Sequence, residues 1–288
     1  MVYLGESMAT TAAPVPVRSP LPRSLAGRTA VILGGSSGIG LAAAELLASF
    51  GARILLVGRD KERLDAAVTR VNAAAARPNT AGAPSGTSDM AGIPAEVHGM
   101  SADVADDDAL EEVFERAGTV DHVLLTAGRP SDAGPVSGLT RETARVAVGE
   151  PVGSVLTVAR AAVPRMRPGG SITLASGILV ARPRPGMSAL VAAAGAVETL
   201  ARALAVELAP ARLRVNAIRF GAMDTPLLRA LYGVGGAAGD AAMAEAGGGM
   251  PLGRFGTAEE AASAALFLMA NPYMSGEVLT VDGGQSLA

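Results

Sequence analysis

The chain has 288 residues, of which 49% are hydrophobic and 18% charged, and its formal net charge is −3 at pH 7. Its basic residues are scattered and it contains no cysteine, so we expect no nucleic-acid partner, no anionic membrane partner, no disulfide and no thiolate metal site. The two histidines, His98 and His122, are separated in the sequence, so we expect no metal site and interpret both as structural.

The first 24 residues contain four prolines and lack the apolar core of a signal peptide. We therefore expect residues 1–24 to form a disordered extension. No uninterrupted apolar run in the chain reaches the length of a membrane span. Together these features predict a cytoplasmic protein.

A short apolar strand, Ala30–Leu33, runs into glycines at positions 34, 38 and 40 and then into an amphipathic helix that reaches Phe50. Glycines in this arrangement permit a tight turn, a close approach of the backbone to a phosphate, and close packing of the helix on the strand. We expect the pyrophosphate of a dinucleotide to bind the free amides at the start of the helix. The alternative is a glycine turn kept only for packing.

Strand and helix patterns then alternate to the end of the chain. The further strands are predicted at 53–57, 96–100, 121–126, 171–175, 214–219 and 278–281, and the further helices at 60–71, from 103, at 140–166 with an interruption near Pro151, at 188–208 and at 257–270. This alternation predicts an α/β fold, with a single doubly wound parallel sheet (a Rossmann fold) over residues 25–288 and helices on both faces. Residues 73–95 are predicted to be a flexible insertion. Residues 223–251 are predicted to be a mobile flap over the site, or else a disordered connector.

Several motifs together resemble those of the short-chain dehydrogenase/reductase family, from about Gly27 to the C-terminus. They are Leu33–Gly40, Asp103–Val104, Leu125–Gly128, Arg214–Gly221, Pro251–Gly256 and Leu279–Gly284. The chain departs from the family pattern at Leu33, where the family has Thr, at Leu125 and Thr126, where it has two Asn, and at Phe220, where it has Pro. The resemblance implies a nicotinamide cofactor.

The cofactor contacts that the resemblance implies are Gly34, Ser36, Ser37, Gly38, Ile39, Gly40, Asp103, Val104, Ala127, Gly128 and Thr225. Arg59 adds a further candidate, because it follows the second strand where an enzyme that uses NAD carries an acidic residue. A guanidinium there can pair with a 2′-phosphate, so NADP(H) is favoured over NAD(H). The adjacent Asp60 weakens this inference, and Arg59 can also be a solvated residue at a helix start.

The catalytic pattern of the family is where the sequence departs most. Leu190 aligns with the family's acid/base Tyr and Ala194 with its Lys, and Lys61 is the only lysine in the chain. Ser176 matches the family's substrate-binding Ser, and Glu150 falls where its Asn is expected. The sequence leaves three hypotheses open.

The first hypothesis is an oxidoreductase for a small carbonyl or alcohol, in which a buried Glu150 replaces the missing acid and Ser176 binds the substrate oxygen. Tyr232 on the flap is a second candidate acid, although a packing role is favoured. The loop arginines Arg129, Arg182 and Arg184 are candidates for holding an anionic substrate, or are simply solvated.

The second hypothesis is a dehydratase, isomerase or cyclase that uses the nucleotide as a fixed wall, and the third is a protein that only binds nucleotide. In all three a homodimer or homotetramer is expected, because the family assembles through the helices at 140–166 and 188–208.

Overall fold

The computed structural model of the protein describes residues 22–76, 95–128 and 134–288. Most of the predicted N-terminal extension and insertion, and Arg129, lie outside these residues. The strands are β1 (Thr29–Leu33), β2 (Arg53–Gly58), β3 (Glu96–Ser101), β4 (Val120–Leu125), β5 (Met166–Gly177), β6 (Arg214–Phe220), β7 (Met223–Asp224), β8 (Gly256–Thr257) and β9 (Val278–Val281). The α-helices are α1 (Gly38–Ser49), α2 (Lys61–Ala75), α3 (Asp107–Ala117), α4 (Arg141–Ala162), α5 (Ser188–Glu207), α6 (Pro226–Tyr232), α7 (Gly236–Gly248) and α8 (Ala258–Ala270).

Seven of the strands form one parallel sheet in the order β3-β2-β1-β4-β5-β6-β9, while β7 and β8 pair separately. The predicted doubly wound fold is therefore confirmed. Strand β1 lies between β2 and β4, with Ala30 opposite both Ile54 and His122. The strand order reverses at β1 and β4, and a crevice forms outside the carboxyl ends of the strands at such a point.

Helices cover both faces of the sheet, since alternate residues of each strand point to opposite sides. Ile32 and Leu56 pack in the core beneath α1, α2 and α8. Val31 and Leu174 pack in the second core, beneath α3, α4 and α5. Burial on both faces explains why the strands are nearly continuous apolar runs in the sequence.

The predicted interruption near Pro151 is wrong, because α4 continues through this proline. Proline removes one backbone donor and costs about 3 kcal/mol inside a helix. Two features offset this cost. Thr140 and Thr143 form a reciprocal cap at the start of the helix, and Val155 and Val158 bury its later turns in the core.

The region predicted as a mobile flap or disordered connector contains α6 and α7, so the expectation of a disordered connector is wrong. Ion pairs hold these helices in place, and ion pairs do not produce a periodic pattern of apolar residues in the sequence. Arg229 donates to Asp224 from Nε at 2.6 Å and to Asp240 from Nη1 at 2.6 Å. Met243 is buried, and the Tyr232 ring makes an edge contact with Phe255, which fits the packing role favoured for this tyrosine.

Two helical segments, Arg141–Arg165 and Ser188–Glu207, are long and apolar enough to cross a membrane by length and composition alone. The prediction that no apolar run reaches the length of a membrane span did not single them out. Both α4 and α5 pack against the sheet, where Val158 and Leu204 belong to the same core. Removing either helix from the sheet would expose that core.

Candidate cofactor cleft and active site

The turn after β1 is packed so closely that glycine is required at two of its positions. Gly34 has φ +93°, and a Cβ on it would lie 2.6 Å from the backbone N of Ala127. A Cβ on Gly40 would meet the carbonyl oxygen of Gly34 and would lie 2.8 Å from Thr126 Oγ1. Real Cβ atoms do not approach this closely, so the backbone of this turn is pressed against the end of β4. The structure thus brings the predicted contacts Gly34, Gly40 and Ala127 together.

Helix α1 begins at Gly38 with its amides uncapped by a side chain. Ser37 occupies the cap position, but its hydroxyl makes no capping hydrogen bond, and the first turn holds no acidic residue. By contrast, Asp60 caps α2 and Asp106 caps α3. The first amides of a helix have no intrahelical partner and carry a partial positive charge. With the glycine turn beside it, this helix start fits a bound pyrophosphate.

The residues predicted for the adenosine end lie beside β2 and β3. Ser36 lies against Gly58, because a Cβ on that glycine would be 3.0 Å from Ser36 Oγ. Arg59 follows directly, with a half-exposed side chain whose Nη1 lies 4.0 Å from Asp103 Oδ2. The structure therefore brings Ser36, Arg59 and Asp103 to the same end of the sheet.

Asp60, the acidic residue beside Arg59 that weakened the inference of NADP(H), makes its hydrogen bonds at the start of α2. Its carboxylate accepts the backbone N–H of Arg63 at 3.0 Å and Arg63 Nε at 2.8 Å. These hydrogen bonds lower the pKa of Asp60. The carboxylate therefore faces the start of α2.

The remaining predicted cofactor contacts lie around the same crevice. A Cβ on Gly38 would be 3.6 Å from Thr225 Cγ2, and the Thr225 hydroxyl accepts the Leu228 N–H at the start of α6. A Cβ on Gly128 would meet nothing within 4 Å among the described residues. Ile39 and Val104 are partly buried against opposite cores, which supports a packing role for both.

The predicted substrate-binding residue Ser176 lies in a buried polar cluster with two residues that the sequence analysis did not identify. Its hydroxyl donates to Glu198 Oε1 at 2.8 Å, and also faces the Ala194 carbonyl oxygen at 3.4 Å. Arg219 donates to the same carboxylate from Nε at 2.9 Å and from Nη2 at 2.5 Å. Glu198 is only 4% exposed.

The fold explains this cluster. Ser176 of β5 and Arg219 of β6 are paired in register, so their side chains lie side by side beneath α5. Glu198 points down from α5 between them. The sequence did contain a sign of this cluster: Arg219 lies in an apolar strand and Glu198 in an apolar helix. Buried charges need partners, so the two could have been expected to pair.

The proposed relocated acid, Glu150, does not have the environment that the hypothesis required. It is exposed on α4, so the premise of burial is wrong. Its catalytic role stays a prediction without that support. On α5 itself, Leu190 and Ala194 provide no side-chain proton donor or acceptor.

The C-terminal segment closes one wall of the crevice. Gln285 is buried, and its side-chain oxygen accepts the Ala222 N–H at 2.8 Å. Its backbone carbonyl accepts Arg182 Nη1 at 2.7 Å. Arg182 is therefore tied to the C-terminal segment, while Arg184 is exposed. Sequence reasoning missed Gln285, because one glutamine in a polar tail carries no distinctive pattern.

No cluster of three or more potential metal ligands occurs within residues 22–76, 95–128 and 134–288. His122 is buried in β4, with Nδ1 2.9 Å from Ser171 Oγ, and burial lowers its pKa to about 4. His98 is exposed within β3. Neither histidine lies at the carboxyl edge of the sheet.

The chain is similar to known proteins over most of its length. The family model described as enoyl-(acyl carrier protein) reductase matches residues 34–286. The chain belongs to the short-chain dehydrogenase/reductase family. It is 32% identical to "Carbonyl reductase family member 4" of Danio rerio over 90% of this chain and 98% of the relative. It is 30% identical to the 3-oxoacyl-[acyl-carrier-protein] reductase of Bos taurus over 90% of this chain and 98% of the relative. Membership of this oxidoreductase family implies a nicotinamide cofactor.

Two solved structures are similar over nearly the whole chain. The MalC reductase/Diels-Alderase from Malbranchea aurantiaca superposes with a TM-score of 0.78 at 28% identity, covering 93% of this chain and 99% of that one. An NADPH-bound short chain oxidoreductase from Pseudomonas aeruginosa PAO1, described as containing an atypical catalytic center, gives a TM-score of 0.76 at 30% identity. That comparison covers 89% of this chain and 96% of the other.

Proposed function

We propose that the protein is an NADP(H)-dependent oxidoreductase for a small carbonyl or alcohol substrate, with acid/base residues other than Tyr and Lys. The observation that carries the proposal is the glycine turn at Gly34 and Gly40, where a Cβ would collide with the backbone, next to the uncapped start of α1. The residues present fit a dinucleotide pyrophosphate. When bound, the nicotinamide would accept or supply the hydride.

The preference for NADP(H) rests on Arg59. Its half-exposed guanidinium lies 4.0 Å from Asp103 Oδ2, and Ser36 lies against Gly58, the residue before Arg59, while the neighbouring Asp60 faces the start of α2. A guanidinium can bind a 2′-phosphate with two parallel hydrogen bonds. We expect Arg59→Ala to weaken NADPH binding at least tenfold and to leave NADH binding nearly unchanged, as measured by titration calorimetry. The exposed Arg116 gives a matched control, Arg116→Ala. A wild-type preference for NADH would contradict the assignment.

Hydride transfer is tested with the wild-type protein and both directions of the reaction. A panel of ketones with NADPH, and of the corresponding alcohols with NADP⁺, is followed by nicotinamide absorbance. We expect a change in absorbance that depends on substrate. Tight NADPH binding without turnover of any substrate would instead support the hypothesis of a protein that only binds nucleotide.

A non-redox reaction is the second candidate function. It is favoured by the aliphatic residues Leu190 and Ala194 on α5 and by the similarity to a protein named as both reductase and Diels-Alderase. In such a reaction the nucleotide would form a wall of the pocket and keep its oxidation state. Consumption of substrate without any change in nicotinamide absorbance would support this candidate over hydride transfer.

We also propose that the protein is a cytoplasmic homodimer or homotetramer that assembles through α4 and α5. Leu156 on α4 is 47% exposed, and a Cβ on Gly149, Gly153 or Gly195 would meet nothing within 4 Å. An apolar helix face that carries glycines can pack closely against a second copy of the chain, which supports this proposal. Light scattering should give the mass of a dimer or tetramer at micromolar concentration, and Leu156→Glu should shift it towards the monomer. A strictly monomeric wild type would contradict this proposal.

A further inference from the structure

We infer that Ser176, Glu198 and Arg219 form a proton-accepting relay, which selects a substrate that presents a hydroxyl group and removes its proton. The inference rests on the proposed oxidoreductase function and names the substrate group at the same site. It gives the roles of proton acceptor and charge partner to Glu198 and Arg219.

The direction of the hydrogen bonds carries the inference. Glu198 accepts two hydrogen bonds from the guanidinium of Arg219, an arrangement that stabilises an ionised carboxylate. An ionised carboxylate can only accept, so the single hydroxyl hydrogen of Ser176 points to Glu198. The other partner of this hydroxyl, the Ala194 carbonyl, is also an acceptor.

Ser176 therefore faces a substrate as an acceptor. No donor to its oxygen occurs among the described parts of the chain, so its lone pairs are available. A ketone oxygen is itself an acceptor and would meet these lone pairs without a hydrogen. An alcohol can donate its hydroxyl hydrogen to them.

Access to Ser176 comes from the carboxyl end of β5. Ser176 is partly exposed one residue before the strand ends, whereas Glu198 beneath it is buried. A Cβ on the following Gly177, or on Gly195 of α5, would meet nothing within 4 Å. Substrates of doubly wound folds bind at this edge of the sheet.

The proton step balances as an alcohol oxidation. The substrate O–H bond breaks and its proton passes to Ser176 Oγ, while the Ser176 O–H bond breaks and its proton passes to Glu198 Oε1. The carbinol C–H electron pair would leave as a hydride to an oxidised nicotinamide, and the carbonyl would form. The neutral Glu198 then returns its proton through Ser176 to solvent. Arg219 keeps the resting Glu198 carboxylate ionised, so that Oε1 is an acceptor for this proton at the start of the reaction.

The test compares Glu198→Gln and Ser176→Ala with Glu207→Gln, an exposed position on the same helix. Positioned acid–base catalysis contributes roughly 10²–10⁴-fold. We expect kcat/KM for alcohol oxidation with NADP⁺ to fall at least 30-fold in the first two variants and to stay at the wild-type value in Glu207→Gln.

A second readout uses the cofactor-free protein and does not depend on turnover. Infrared spectra with ¹³C-labelled glutamate should contain a carboxylate band at neutral pH that Glu198→Gln removes and Glu207→Gln leaves in place. A protonated Glu198 at neutral pH would overturn the relay. Urea unfolding of each variant shows whether the fold is intact, and Ser176→Ala provides the second variant if Glu198→Gln does not fold.

The outcomes separate this inference from the proposed function. A wild-type kcat/KM for alcohol oxidation in folded Glu198→Gln or Ser176→Ala would overturn the relay alone. Efficient ketone reduction with no alcohol oxidation would also overturn it and leave the oxidoreductase function standing. Absence of hydride transfer with every alcohol and ketone would overturn the oxidoreductase function, and the relay with it.

Discussion

The two ends of the parallel sheet are built in opposite ways. At the amino end, most polar groups pair within the chain: Arg28 pairs with the buried Asp121 at 3.1 Å, and Arg214 donates from Nη1 and Nη2 to the Leu268, Met269 and Met274 carbonyls, while its buried Nε has no partner among the described residues. At the carboxyl end, the start of α1 has amides that no side chain caps.

This difference separates stability from binding in the same fold. Most polar groups at the amino end use their hydrogen-bonding capacity on the protein itself, so substituting them removes internal contacts. Groups at the carboxyl end retain capacity for a ligand. Substitutions at the two ends should therefore affect different measurements.

The largest effect is expected from Gly34→Ala at the carboxyl end. Its added Cβ would lie 2.6 Å from the Ala127 backbone N, at a φ of +93° that alanine disfavours. The turn must shift, so we expect the NADPH dissociation constant to rise at least 100-fold in titration calorimetry. Gly138→Ala is the control, because its Cβ meets nothing within 4 Å. Wild-type affinity in folded Gly34→Ala would remove this turn from the proposed cofactor site.

Arg214→Leu tests the amino end. Its guanidinium, on a residue 7% exposed, donates to three carbonyls at and after the end of α8. Leaving such buried acceptors unpaired costs about 1–3 kcal/mol each at most, so we expect a loss of about 3 kcal/mol in the free energy of urea unfolding. NADPH affinity should change less than twofold. A comparable loss of NADPH affinity would contradict the distinction between the two ends. As a control, Arg202→Leu, at an exposed site, should leave both the free energy of unfolding and the NADPH affinity unchanged.

The lowered pKa of His122, at the amino end of β4, should make the free energy of unfolding depend on pH. Its pKa is about 4 in the folded protein, because burial disfavours the charged ring, and about 6.5 when unfolded. Between these values the unfolded chain binds the extra proton, so stability is full above pH 6.5 and falls as the pH is lowered towards 4. The expected loss is about 3 kcal/mol.

Urea unfolding at several pH values measures this loss against two variants. His122→Asn should reduce the slope between pH 6.5 and 4, whereas His98→Asn, at an exposed position, should keep it. Equal slopes in the wild type and His122→Asn would contradict the assignment.

The smallest effect is expected from Gln285→Ala. This side chain holds the Ala222 N–H at 2.8 Å, and its backbone holds Arg182, so the C-terminal segment positions two loops beside the crevice. Loss of the side-chain bond should raise the substrate KM about fivefold and leave kcat unchanged, in line with one hydrogen bond of about 1 kcal/mol. Leu287→Ala is the neighbouring control, because this side chain is 92% exposed. An unchanged KM would leave Gln285 with a purely structural role.

The fold could be predicted from the sequence because the central strands β1, β2 and β4 are buried, largely apolar runs and each glycine of the first turn has a local role. The same reasoning grouped Gly34, Gly38, Gly40 and Thr225, which do lie around one crevice. The interruption at Pro151 was predicted wrongly, because local rules omit the burial that holds α4 together.

The polar cluster could not be predicted in the same way. The contact between Ser176 and Glu198 spans 22 residues, and it depends on how α5 lies over β5 and β6. Only the register between Ser176 and Arg219 reveals that these two side chains lie on the same face of the sheet. Exposure of Glu150 is likewise a property of how α4 packs, which its sequence position did not indicate.

Helix α7 has four glycines among its thirteen residues, and each weakens a helix by about 0.5–1 kcal/mol relative to alanine. Its helical state therefore depends on the contact of Asp240 with Arg229 and on the burial of Met243. We expect its amide hydrogens to exchange with deuterium well before those of α8, and high salt to accelerate that exchange. Helix α7 can then open while the seven-stranded sheet stays folded.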